Sequence, residues 1–393
     1  MTLPYGIFST SDSDKRVGVR LDHQILDLEM VGRLGFFDDM AVDPAVFKKP
    51  VLNEFMALGK PVCGAVRHRL IELLTHPEKP LDTFAELVLI PAEHATLHLP
   101  IRVGDYTDFY ASEEHASNVG RMFRPQGDPL LPNWKHLPVA YHGRASSIVV
   151  SGTPIKRPNG QTLGPDQQPV FGPSNALDFE LELGIVIGKS SRLGEPVSIH
   201  EAESYVFGIV LFNDWSARDI QRWEYQPLGP FLGKNFASSV SPWVVPLEAL
   251  EPFRTDGPKQ EPTPLPYLQP AGRSYFDIEM EAVLQTPDYP TEVILSRTNT
   301  RYLYWSVGQL IAHHTVNGCN LNVGDLLATG TISGPSPHSY GSLLELSWNG
   351  TRPLSLPDGS SRTFLQDGDM VILRGWAGNR QIDLGEVSGH IIR

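Results

Sequence analysis

Glu180 and Glu182 stand two residues apart in the stretch Asp178-Phe-Glu-Leu-Glu-Leu-Gly184. Read as one strand, side chains alternate between faces, so the two carboxylates share a face while Phe179, Leu181 and Leu183 take the other. Carboxylates held only about 7 Å apart repel unless a cation lies between them. A hard divalent ion such as Ca2+ or Mg2+ takes oxygen ligands of this kind. The same alternation also fits an edge strand with a solvated acidic face, and this pair alone does not choose between the two.

Two further stretches carry chemistry. In Gly104-Asp-Tyr-Thr-Asp108-Phe-Tyr110-Ala-Ser112-Glu-Glu-His115, Ser112 suits a helix N-cap and Glu113 and Glu114 suit a first turn. His115 then sits near a helix N-terminus, whose dipole favours a neutral imidazole, the form a general base requires. A plain surface position on a helix remains the alternative. In Asn213-Asp214-Trp-Ser216-Ala-Arg218-Asp-Ile-Gln221-Arg-Trp-Glu-Tyr225, Asp214 ends an apolar run, and Ser216 with Asp219 has the form of a capping box. Arg218, Gln221 and Tyr225 then fall on one helix face, a wall of hydrogen-bonding side chains where aliphatic ones are usual. The Gly/Pro-rich stretch Pro227-Leu-Gly-Pro-Phe-Leu-Gly233 delivers Lys234. No G-x-S-x-G elbow, H-E-x-x-H, zinc-type Cys/His set, Walker A or dinucleotide fingerprint occurs. His313 and His314 lie on an amphipathic helix and read as structural.

The elements that must position these residues are sheet-rich. Strands are expected at Gly6–Phe8, Val17–Leu21, Gln24–Leu28, Leu87–Ile90, Leu97–Pro100, Ser147–Val150, Leu183–Ile187, Val206–Phe212, Asp325–Thr329, Leu343–Trp348, Met370–Leu373 and Glu386–Ile392. Residues 50–76 read as helical, with Val66, Leu70, Leu73 and Leu74 at helical spacing within Val62–His76, and a later helix is expected over Tyr302–Val316, stopped by Asn317-Gly318. Residues 251–272 hold six prolines and read as a surface loop.

Composition narrows the class. With 393 residues, 41% hydrophobic and 20% charged, the chain is globular and long enough for two domains. Its 35 Gly and 34 Pro fit a turn-rich, sheet-rich fold. A formal charge of −13 without a basic stripe excludes nucleic acid as a partner class. The two cysteines, Cys63 and Cys319, make no disulfide framework and fit a reducing compartment. No secretory leader pattern opens the chain and no apolar run reaches membrane-span length, so a cytoplasmic protein is expected.

Taken in order, Gly104-Asp-Tyr-Thr-Asp-Phe-Tyr110, Leu131-Pro-Asn-Trp134, Tyr141-His-Gly-Arg-Ala-Ser-Ser147, Asp178-Phe-Glu-Leu-Glu182, Asn213-Asp-Trp-Ser-Ala-Arg-Asp219, Gly318-Cys-Asn-Leu321 and Gly330-Thr-Ile-Ser-Gly334 resemble the fumarylacetoacetase family. The resemblance runs over about residues 100–390 and is looser before that. It implies a mixed α+β, β-rich fold: a small N-terminal SH3-like β-barrel domain (1–100) and a larger C-terminal mixed β-roll catalytic domain (101–393), assembled as a homodimer. It implies hydrolysis of a carbon–carbon bond in a small β-diketo acid, 4-fumarylacetoacetate plus water giving fumarate and acetoacetate, the last step of tyrosine and phenylalanine degradation. By motif position, Asp108, Glu180, Glu182 and Asp214 would hold Ca2+ and/or Mg2+, with Lys234 and Ser238 completing a magnesium-type site. Ser238 is a departure from the family threonine; the hydroxyl survives with a less restrained rotamer. His115 would activate water, with Glu345 orienting it. Arg218, Gln221 and Lys234 would stabilise the oxyanion. Tyr110, Arg124, Tyr141, Gln221, Tyr225 and Thr331 would hold the substrate, Arg124 suiting a terminal carboxylate. Two other readings stay open. One is a superfamily relative such as an acylpyruvate hydrolase or oxo-acid decarboxylase, which the N-terminal unit argues against. The other is a non-catalytic protein with a structural Ca2+ site.

Overall fold

The computed structural model describes residues 1–393. At the N-terminus, Gln24–Asp27, Ser13–Leu21 and Tyr5–Thr10 form an antiparallel ladder flanked by the short strands Leu89–Pro91 and Thr96–His98. Helix Lys60–Thr75 packs Cys63, Val66, Leu70 and Leu73 into the core beneath it, close to the predicted stripe. The ladder is open, because no pairing joins Leu89–Pro91 to Thr96–His98. It continues into the rest of the molecule instead: Tyr5 and Gly6 pair with Val244 and Trp243.

The larger sheet runs from Trp243–Pro246 through Val206–Asp214, Leu181–Ile187, Leu326–Ala328 and Tyr106–Phe109 to Ala140–His142. Its central strands are apolar on both faces because both faces are covered. Leu181, Leu183, Ile185 and Leu211 join a core shared with a second sheet of five strands, including Ile278, Met280, Leu373 and Val387. On the opposite face, Tyr106, Val186, Val210, Phe212 and Leu326 pack against the N-terminal unit. The remainder of that opposite face carries the carboxylates. Register brings them together: Ala328 lies opposite Asp108 in a parallel pair, Asp108 opposite Tyr141, and Asp214 opposite Ser238.

Four local expectations need correction. The stretch 178–184 is not one strand. Leu177–Asp178 pairs with Ser216–Ala217, and a separate strand Leu181–Ile187 follows. Between them the Glu180 N–H donates to the Asn213 side chain at 3.0 Å instead of to a ladder carbonyl. The stretch 343–348 is not a strand: Leu343–Leu346 is a short helix capped by Ser342, which accepts the Glu345 N–H. Ser342-Leu-Leu-Glu345 has the spacing of a capping box, and leucine and glutamate favour helix. The helix Arg218–Glu224 forms, but Ser216 does not cap it. The Asp219 carboxylate is taken by Ser174 and the Asn175 N–H, at 2.6 and 2.7 Å. The later helix spans Val307–Thr315, started by a Ser306/Gln309 capping box, so it begins five residues after the predicted Tyr302. Gly318 does follow it with φ +92°. No helix is long and apolar enough to cross a membrane.

Candidate active site

Helix Glu113–Phe123 starts where expected: Ser112 accepts the His115 N–H at 3.2 Å. This turns the His115 ring inward, 3% exposed, where Tyr110 packs edge-on against it at 5.3 Å. His115 Nδ1 lies 2.7 Å from Glu345 Oε2. The Glu345 carboxylate also accepts from Asn118 Nδ2 (3.0 Å), Ser333 Oγ (2.8 Å) and Ser342 Oγ (2.9 Å). Burial alone would raise its pKa. His115 nearby and these hydrogen bonds outweigh burial and hold the group below the usual carboxylate range. An ionised acceptor at Nδ1 fixes the tautomer, so Nδ1 donates and Nε2 keeps its lone pair.

Asp108, Glu180, Glu182 and Asp214 are all buried as well. Asp108, Glu180 and Asp214 can bring one oxygen each to within 4.8 Å of the others; Glu182 is outside that triplet. Lys234 Nζ contacts Glu180 Oε2 and lies 3.0 Å from Asp214 Oδ2. Arg218 Nη1 lies 2.8 Å from Glu180 Oε1. Ser238 Oγ and Tyr141 OH donate to Asp214 at 2.7 and 2.8 Å, so both touch the cluster. Burial, and next the Asp214 charge, push Asp108 well above the usual carboxylate range; burial, and next Asp108, do the same to Glu182. Glu180 shifts the other way, because Lys234 and Arg218 overcome its burial.

The donor set fits a hard divalent cation. Four buried carboxylates face Lys234 and a guanidinium shared with Asp178. Asp108 Oδ1 and Glu182 Oε1 are buried with no hydrogen-bond partner, a costly arrangement that an ion with oxygen ligands would relieve.

Both groups meet at a cavity of about 470 Å³. Asp108, Glu180 and Lys234 of the cluster line it together with His115, Arg218 and Gln221, and so do Tyr110, Tyr141 and Thr331. Arg124 and Tyr225 stand at its exposed mouth. Glu182, Asp214, Ser238 and Glu345 lie behind the wall. Two buried donors in the lining residues have no partner, Arg218 Nη2 and Thr331 Oγ1. A wider cleft of about 790 Å³ on the N-terminal unit is lined by surface groups such as Asp39, His68 and Glu72 and holds no such cluster.

Sequence reasoning missed the supports. Asn118 is one turn beyond His115 on the same helix, a spacing that could have flagged it. Glu224 closes the loop that leads to Lys234, accepting the N–H groups of Phe231 and Gly233 at 3.1 and 2.7 Å. Ser333 gave no signal of its own. Gly330 has φ +75° and its N–H donates to Glu182 at 3.1 Å, while a Cβ there would lie 2.2 Å from the Phe109 carbonyl oxygen. Gly330→Ala should therefore cost about 2–3 kcal/mol, read as a lower denaturation midpoint, and displace Thr331 from the cavity.

The chain matches two family descriptions: "Fumarylacetoacetate (FAA) hydrolase C-terminal" over residues 105–391 and "Fumarylacetoacetase N-terminal" over residues 1–100. Among curated relatives, it is 51% identical to a fumarylacetoacetase of Dictyostelium discoideum, covering 99% of this chain and 94% of the relative. It is 49% identical to the Homo sapiens fumarylacetoacetase, covering 99% and 95%. Among solved structures, a fumarylacetoacetate hydrolase of Exiguobacterium antarcticum superposes with TM-score 0.56 at 19% identity, covering 99% of each chain. A 5-carboxymethyl-2-hydroxymuconate delta-isomerase of Mycobacterium smegmatis superposes with TM-score 0.52 at 16% identity, covering 100% of each. Those two likenesses are of fold alone, and they span different chemistries.

Proposed function

Because the chain belongs to the fumarylacetoacetate hydrolase family, we infer that it hydrolyses the carbon–carbon bond of 4-fumarylacetoacetate to fumarate and acetoacetate in tyrosine catabolism. The observation that carries the reading is one cavity lined both by His115, with Glu345 buried behind it, and by Asp108 and Glu180 of the acidic cluster.

Asp108, Glu180, Glu182 and Asp214 would hold a divalent cation, Ca2+ or Mg2+, with Lys234 and Ser238 bracing the set. When bound, such an ion supplies Lewis-acid polarisation of the diketone oxygens. His115 Nε2 takes a proton from water, and the hydroxide so formed attacks the carbonyl carbon beside the fumaryl group. Glu345 stabilises the imidazolium. The oxyanion meets Arg218 Nη2, Gln221 and Lys234, donors already in place before the reaction. Collapse breaks the carbon–carbon bond, and acetoacetate leaves as its enolate and is reprotonated. Tyr110, Tyr141, Tyr225 and Thr331 line the bound chain of the substrate.

Residues 1–100 read as an SH3-like unit in open form and residues 101–393 as the catalytic β-roll. Two free cysteines support a reducing, cytoplasmic setting. A homodimer is part of the same reading.

Arg124 hydrogen-bonds only the Pro129 carbonyl, at 2.7 Å, and pairs with no carboxylate of its own, so a substrate carboxylate can take its charge. Arg124→Ala should raise KM on the order of tenfold or more, the worth of one charge-assisted hydrogen bond, with kcat little changed. The assay is release of fumarate and acetoacetate in equal amounts; a chain that cleaves acylpyruvates but not 4-fumarylacetoacetate would overturn the substrate.

A further inference from the structure

Asp178 does not line the cavity, yet it is fully buried and its carboxylate is saturated by three separate chain segments. Oδ1 accepts the N–H groups of Phe179 and Leu343, at 2.8 and 2.7 Å. Oδ2 accepts the Leu344 N–H and Arg218 Nε, both at 2.9 Å. One arm ends on the guanidinium whose Nη2 is buried without a partner and whose residue faces the cavity. The other ends on the first two residues of the short helix whose third residue is Glu345. Pairing of Leu177–Asp178 with Ser216–Ala217 sets the carboxylate beside the start of the Arg218 helix.

Stability is a weak reason for such a group. A buried ion pair gives little net stabilisation over a well-packed apolar replacement. What a carboxylate adds is geometry, since four donors must converge on two oxygens. We propose that Asp178 is a positioning residue that holds the oxyanion donor Arg218 and the histidine-orienting Glu345 in one frame. The half of the site that activates water and the half that receives negative charge then keep their separation. Misplacement of either by an ångström is costly to the reaction and cheap for ground-state binding.

The inference rests on the hydrolase reading, which turnover by the parent enzyme tests separately in the same assay. The experiment uses the full chain loaded with Ca2+ or Mg2+. In Asp178→Asn, the new NH2 opposes Arg218 Nε and the Leu344 N–H, donor against donor. Expected is a fall in kcat of about 100-fold with KM within about threefold of the parent, in protein that still melts cooperatively. Coupling is the decisive readout. In the Arg218→Gln background and in the Glu345→Gln background, adding Asp178→Asn should cost less than about tenfold. A purely structural role predicts the same multiplicative loss in every background. Should Asp178→Asn not fold, Asp178→Ala assayed with formate replaces it: formate, and not chloride, should restore activity by about tenfold or more. The proposal is overturned by a kcat within about threefold of the parent, by undiminished loss in both backgrounds, by coupling to only one of the two residues, or by folded Asp178→Ala that formate does not rescue.

Discussion

His115→Gln should lower kcat by on the order of 10³-fold, or about 4 kcal/mol of transition-state stabilisation, while KM stays within a few-fold. The size follows from what is lost. His115 supplies the basic nitrogen that faces the cavity, and Glu345 is committed to its Nδ1 at 2.7 Å. Glutamine has no basic nitrogen at any pH of interest. Its amide can still donate to Glu345, which keeps Asn118, Ser333 and Ser342 around that carboxylate as partners. The helix cap at Ser112 uses the backbone of residue 115 and is unaffected. The variant should thus fold and bind the divalent ion as the parent does. Steady-state kinetics with metal titration by calorimetry checks this; near-parental kcat would remove His115 from the role of base.

Asp108→Asn should act with opposite signs on stability and on metal affinity. Asp108 is buried among like charges, with Asp214 the largest neighbouring one, and its Oδ1 has no partner. Neutralising it in chelated protein should raise the melting temperature by a few degrees, since one repulsive buried charge is gone. In the presence of Ca2+ or Mg2+ the order should reverse, because the parent gains stability from the ion through mass action and the variant gains less. Activity should fall by on the order of 10³-fold through loss of the polarising ion. Melting curves with and without chelator read both signs. A variant less stable than the parent in chelator would mean that Asp108 is held by contacts other than an ion.

The residues that gather at the candidate site were legible from sequence for two reasons. The first is local: Ser112 with two following glutamates marks a helix start, and that start is what turns His115 inward. The second is the resemblance, which named the acidic cluster before any pairing could. Pairing itself was not readable, because the parallel match of Ala328 with Asp108 joins strands far apart in the chain with no local signal. Errors arose where side chains replaced backbone partners. Asn213 takes the N–H that would have kept residues 178–184 in one strand. Ser342 and Asp178 take the N–H groups that turn Leu343–Leu346 into helix. A pattern of leucines around one glutamate looks alike in both structures, and the S-x-x-E spacing, which that reading passed over, is the cue that separates them. Asp178 itself was invisible as a support, since its partners on the second arm lie 165 residues away or more.

The most direct measurement follows loss of the diketone absorbance of 4-fumarylacetoacetate with purified protein, before and after exhaustive chelation and again after adding Ca2+ or Mg2+. The expected result is turnover that chelation abolishes and the ion restores. No turnover with any divalent ion, or turnover that survives complete removal of metal, would contradict a cation held by Asp108, Glu180, Glu182 and Asp214 opposite the His115 base.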